Sequence, residues 1–156
     1  MADGASERDF EFANLTRAIP YASYLGVEVD RDERGVLSRL PFREGIIGNH
    51  TLPAVHGGVV GAFLELAALY ELLAQERTTA IPKPIDFNVN YLRAAGPRDL
   101  KARATVVKHG RRIANVQVVA WQDDADKPVA SGHGNFLFSG DLGDIALPGG
   151  ESDDGP

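Results

Sequence analysis

Between His56 and Tyr70 the chain carries one charged side chain, Glu65, in a run otherwise built of apolar and small residues. A carboxylate in such surroundings is costly unless it is paired or hydrogen-bonded. Its protonation is shifted, which is one way general bases and nucleophiles are made. At a subunit seam or near a helix end the same residue would simply reach solvent. If the segment is helical, at 100° per residue Gly58 and Gly61 project within about 40° of Glu65. Small residues on that face admit a ligand or a second chain, or serve tight helix packing. The run opens on His56-Gly57-Gly58, and the preceding loop carries Asn49 and His50. A helix start offers free backbone N–H groups and the positive end of the dipole. Glycine leaves those donors accessible to a polarised carbonyl oxygen. Gly58 and Glu65 are seven residues apart, so about 10 Å along one axis. One carbonyl cannot meet both. If both act on it, they come from different subunits, with two helices side by side in a twofold dimer.

These residues need a helix that is buried all round. Val59, Val60, Phe63, Leu64, Leu66, Leu69, Leu72 and Leu73 cover every face of 56–75, which predicts a core helix rather than a surface one. Ahead of it, 1–20 has Phe10, Ala13, Leu15 and Ile19 at near-helical spacing and is expected to stop at Pro20. Residues 24–42 read as a hairpin, with Leu25, Val27 and Val29 alternating before an Asp30–Gly35 turn. Residues 43–55 read as a loop, broken by Gly45, Gly48 and Pro53. After the helix, strands are expected over 85–93, 101–109, 113–123 and 128–139. There is no βαβ alternation, so a parallel doubly wound sheet is not expected. One antiparallel sheet must curl around the helix, an α+β arrangement. Three parts are expected: a helical arm over 1–20, a domain over 21–140, and an acidic, disordered tail over 141–156.

The chain has 156 residues, 44% hydrophobic and 24% charged, enough for one domain with a core. It has no cysteine, which excludes a disulfide, a thiolate nucleophile and a cysteine-based zinc site. The four histidines, His50, His56, His109 and His133, show no ligand spacing, so neither a metal nor another cofactor is expected. The acidic start is unlike a secretory signal, and the longest apolar run, Val59–Leu64, is too short to cross a bilayer. A cytoplasmic protein without a membrane partner is expected. The net charge of −6 hides an asymmetry: 141–156 contributes −5, 1–11 contributes −3, and the body between them is +2. Within the body, 83–112 holds eight bases against two acids. A locally basic segment on an acidic protein suits a small anionic ligand and not a nucleic-acid footprint. Solvated strand faces would give the same composition.

His56-Gly57-Gly58, followed by an apolar helix with an acid nine residues after the histidine, resembles hotdog-fold thioesterases of the PaaI-like (phenylacetate-degradation) and 4-hydroxybenzoyl-CoA type. Asn90-Tyr91-Leu92-Arg93-Ala94-Ala95-Gly96, Lys108-His109-Gly110-Arg111-Arg112 and Val129–Phe136 are similar to later segments of that family. The resemblance covers about residues 20–140. It implies a hotdog fold, a homodimer with shared active sites or a dimer of dimers, and hydrolysis of an acyl-CoA thioester without a further cofactor. Glu65 falls on the family's catalytic acid and Gly57 on the glycine whose N–H polarises the thioester carbonyl. Six residues before the histidine the family often has Asn or Gln; here that position is His50, with Asn49 before it, and either could orient water or touch the carbonyl. A hydroxyl residue that some members carry one turn after the acid is replaced by Leu69. His56, Gly58 and Gly61 fit substrate contact, and Arg93, Lys108, Arg111 and Arg112 fit the phosphates of CoA. Phe63, Tyr91 and Trp121 suit core packing better than a pocket wall. Two other readings stay open: a hotdog dehydratase or hydratase using His50 with Glu65, and a non-catalytic acyl-CoA-binding module.

Overall fold

The computed structural model describes residues 12–75 and 81–138. Residues 12–18 are helical (α1), and after a break at Ile19 a second short helix, α2, runs over Pro20–Leu25. Pro20 therefore does not end helical structure; it restarts it. Proline at the first helical position has no N–H to lose, and its fixed φ suits the helix. The hairpin expected from residue 24 accordingly begins later. Gly26, at φ 74°, closes α2 by accepting the left-handed conformation that other residues resist. Leu25 is buried from the helix and not from a strand. Residues 1–11 of the arm expected over 1–20, and the tail expected over 141–156, lie outside the described residues.

Strands β1 (Glu28–Asp32) and β2 (Gly35–Leu40) form the hairpin. The 43–55 segment is more ordered than its glycines suggest. It contains a 3-10 turn over Glu44–Ile46 and a small two-stranded sheet, β3 (Ile47–Asn49) with β4 (Ala54–Val55). Then comes the long helix α3 (Gly57–Gln75), followed by β5 (Lys83–Tyr91), β6 (Leu100–His109), β7 (Ile113–Trp121) and β8 (Ala130–Leu137). The main sheet is antiparallel, in the order β1-β2-β6-β7-β8-β5. Phe63, Leu64, Tyr70 and Leu72 of α3 are fully buried, as are Leu40, Leu100, Val116, Val118 and Phe136 from the sheet. This is the expected curved sheet packed around a central helix. By length and composition α3 could also cross a membrane, with mean hydropathy 1.5, but here it is the helix that the sheet covers.

The wrap is incomplete. Val60, Phe63, Leu64 and Ala67–Leu73 are buried, whereas Gly58 is exposed and Gly61, Ala62 and Glu65 are only half-covered. That strip continues over β5, an edge strand with a free side, on which Ile85 and Tyr91 are 55% and 59% exposed. An edge strand beside a half-covered apolar helix is an unfinished core.

Candidate active site

The start of α3 is held by its neighbours in sequence and in space. His56 is the residue before the helix, and its carbonyl accepts from the N–H groups of Val59 (2.9 Å) and Val60 (3.1 Å). Its Nδ1 accepts the N–H of Gly58 at 2.9 Å. A histidine thus performs the capping that Ser, Thr or Asp usually supply. Nδ1 carries no proton in this arrangement, so the ring proton sits on Nε2. The Tyr91 hydroxyl, at the end of β5, donates to the carbonyl oxygen of Gly57 at 2.7 Å. Of the first-turn donors, only the Gly57 N–H has no acceptor among the described residues.

The approach to this end is set by a close contact. A Cβ on Gly48 would lie 2.8 Å from the His56 Cα, so β3 can run beside the helix start only with glycine there. The same contact region is tied by the His56 N–H, which donates to Ile46 O at 2.8 Å. The segment entering it is anchored by Asp99, which accepts the Phe42 N–H at 2.7 Å and Arg39 Nη2 at 2.7 Å. Those donors, the Phe42 amide first, hold the Asp99 carboxyl below its ordinary value.

Glu65 lies two turns after Gly57 on the half-covered strip, and burial pushes its carboxyl above the ordinary value of 4.5. No hydrogen bond or ion pair to it is found among the described residues, in keeping with a carboxylate left for chemistry. Eight residues separate it from Gly57, so about 12 Å along the axis. Asn49 is the exposed last residue of β3, and His50 opens the exposed turn that leads to β4. The Asn49 Oδ1 accepts the Thr51 N–H at 2.9 Å, so its carbonyl oxygen is occupied by its own turn. The expected open face at Gly58 and Gly61 is partly filled from within the chain. Gly58's N–H is taken by His56, and a Cβ on Gly61 would stand 3.5 Å from the Tyr91 hydroxyl.

The basic residues do not form one cluster within a chain. Tyr91 pairs with Ala130, and Lys83 with Leu137, which in turn faces Ile113. Arg93 is therefore at the α3 N-terminal end of the sheet, and Lys108, Arg111 and Arg112 are at the other. Arg93 lines a cavity of about 310 Å³ with Arg98, Gln122, Asp123, Asp124 and Lys127. There Arg98 pairs with Asp123, and Lys127 lies 3.9 Å from Asp124.

Two residues were not foreseen in their roles. Tyr91, expected in the core, is exposed and stands on the helix start. The glycines at 57 and 61 were the available signal, since one side of a helix two glycines deep calls for a large neighbour. Glu71 is a second acid on α3, and it is buried. It accepts the Val36 N–H at 3.2 Å and Gln75 Nε2 at 2.8 Å, which ties the β1–β2 turn to the helix. Phe63 is core, as expected, and Leu69 is buried at 7% exposure with no hydroxyl to offer. The histidines are scattered, and no group of metal-ligating side chains is found among the described residues.

A curved antiparallel sheet wrapped around one central helix is the hotdog arrangement. Comparison with known families makes this specific: the acyl-CoA thioesterase N-terminal domain family matches residues 48–137, and the chain belongs to it. It is a thioester hydrolase by class. Among solved structures, a Chromobacterium violaceum protein is 37% identical, covering 90% of this chain and 98% of that one, with a TM-score of 0.69. A Bacillus halodurans protein solved with CoA is 26% identical over 75% of this chain and 76% of that one, with a TM-score of 0.67. A phenylacetic acid degradation-related, putative thioesterase from Ralstonia eutropha shares the fold, at 24% identity over 76% of this chain and 89% of that one, with a TM-score of 0.68. No curated protein matches the chain.

Proposed function

We propose that two copies of this chain hydrolyse an acyl-CoA thioester in sites shared across a twofold axis. The Gly57 N–H of one subunit holds the carbonyl oxygen, and Glu65 of the other attacks the carbonyl or activates water. The observation that carries this is the pair of unsatisfied groups, the Gly57 N–H and the half-covered Glu65 carboxylate, on one helix but about 12 Å apart. Two antiparallel α3 helices crossing at Gly61 set residue 57 of each opposite residue 65 of the other, because 61 is their midpoint. Gly61 then allows the close approach. The free edge of β5 supports the same axis, since antiparallel β5–β5 pairing would extend the sheet and cover Ile85 and the strip. It would also bring the Arg93 end of one sheet alongside the Lys108–Arg112 end of the other, giving CoA's phosphates cations from both. A pair of such dimers would complete the assembly that the resemblance implies.

In this reading a carbonyl held at Gly57 becomes more electrophilic as negative charge builds on its oxygen. Glu65 is ionised when it acts, so its raised pKa makes it a stronger base than an exposed carboxylate. In this reading His50 or the Asn49 amide, which follow Gly48 in sequence, orients water. His56 acts through the cap.

A panel of aromatic, short-chain and long-chain acyl-CoAs, followed with a free-thiol reagent, tests the proposal against Glu65→Gln. Thiol release by the wild type and a loss of about a thousandfold or more in the variant are expected, with the dimer retained. Turnover by the variant at the wild-type rate would remove Glu65 from the chemistry. A change in enoyl absorbance without thiol release would indicate hydration, and binding alone a carrier role.

A further inference from the structure

We infer that Tyr91 is a positioning residue for the Gly57 donor. The inference rests on the Gly57 assignment above and deepens it. The peptide unit joining Gly57 and Gly58 is gripped at both ends by side chains: Tyr91 donates to its carbonyl at 2.7 Å, and His56 Nδ1 accepts its N–H at 2.9 Å. The preceding peptide unit, which carries the free Gly57 N–H, is fixed through its carbonyl by the Val59 and Val60 amides. Gly57 has no side chain to restrict rotation between these two planes. Holding both planes is what fixes the direction of the donor. His56 comes with the helix, but Tyr91 arrives from the end of β5, thirty-four residues on.

The placement is specific. The tyrosine ring lies against the Gly57 and Gly61 positions, where a Cβ would stand 3.5 Å from it, so its contacts are made with the helix start. Within one subunit the side chain is 59% exposed and adds little to that subunit's core. Whatever a second subunit covers, the hydroxyl is the side chain's one polar atom, and it is spent on the Gly57 carbonyl. An oxyanion donor is effective only if it already points where charge develops. Losing the grip lets the first turn sample orientations that do not serve the transition state, while substrate binding is unaffected.

Tyr91→Phe keeps the ring and removes the donor. The expected result is a kcat lower by about fivefold to tenfold, one hydrogen bond's worth, with KM and melting temperature unchanged. A second readout is an acyl-CoA analogue in which CH2 replaces the thioester sulfur and the carbonyl is labelled with 13C. Its carbonyl resonance should move downfield on binding to the wild type and move less on binding to Tyr91→Phe. Wild-type kcat and a full shift in the variant would overturn the role of Tyr91 and leave the Gly57 reading standing. A fall in kcat with a matching fall in melting temperature and a full shift would also overturn it, as a purely structural contact. Absence of turnover and of any shift in the wild type would overturn both.

Discussion

Gly48→Ala is expected to damage turnover, because the added methyl group meets the residue that caps α3. The new Cβ would stand 2.8 Å from the His56 Cα and 2.9 Å from its Cδ2. Carbon atoms in contact prefer about 3.5–4.0 Å, so the strand and the helix start must separate by roughly 0.7–1.2 Å. The obstacle is backbone, which cannot swing aside as a side-chain tip can. Gly48 is not among the residues with positive φ, so alanine brings no torsional strain and the effect is steric alone. Overpacking of this size costs roughly 1–3 kcal/mol. For a domain of this length that lowers the melting temperature by roughly 3–10 °C. The displaced residue is the one that caps α3, so the Gly57 donor moves with it, and a 1 Å misplacement can cost about a hundredfold in rate. A thermal melt and acyl-CoA hydrolysis on the same preparation are the assays. Gly57→Ala is the control, because its Cβ would meet Tyr91 at an ordinary 3.5 Å. Its melting temperature should stay near that of the wild type. A Gly48→Ala protein that melts and turns over like the wild type would refute the steric reasoning.

The remaining expectations concern titration and anchoring. Glu65 must be ionised to act and burial raises its pKa, so the acidic limb of kcat/KM should lie above 4.5 and vanish from the residual rate of Glu65→Gln. Because that folded pKa is raised, ionising Glu65 costs stability. The cost appears as pH rises past the ordinary value and through the raised one, and Glu65→Gln should flatten the melting temperature across that window. Asp99 has the opposite sign. Its pKa is lowered, so its contribution is present above the ordinary value of 3.8 and is lost as pH falls through the depressed one. Its side chain is 39% exposed, so Asp99→Asn should cost only about 1 kcal/mol, measured as a denaturant midpoint at neutral pH.

What could be read from the sequence depended on range. α3 was legible because its apolar residues surround the axis, a pattern that only a buried helix makes. The strands after it were legible to within a few residues from their alternation. The segment over residues 20–25 was misread because Leu25, Val27 and Val29 do alternate, yet Pro20 and Gly26 frame a helix, and local backbone preference won. Glu65 and the glycines were legible as a constellation within one helix. Tyr91 on Gly57 was not, because nothing local marks a contact between an edge strand and a helix start thirty-four residues away. Nor was the division of the basic residues, since a run of cations in sequence says nothing of sheet direction until the register places Tyr91 and Ile113 at opposite ends. Glu71 escaped notice for a similar reason: its partner, the Val36 amide, comes from the turn of another hairpin.

The strand order has a consequence for how the molecule is made. β5 follows α3 directly but pairs only with β8, whose last residue is Leu137. During synthesis the apolar helix is complete at Gln75, whereas β5 has no strand to join until sixty-two more residues have been added. At about 5–20 residues per second that interval is roughly 3–12 s. During it β6 and then β7 can join the β1–β2 hairpin over the helix, but the side of the helix that β8 and β5 cover stays open. Sheet closure therefore waits for the final strand, and the elements bearing Gly57 and Tyr91 meet only at the end. A ribosome-bound chain halted before β8 would be a client for chaperones rather than a partly active enzyme.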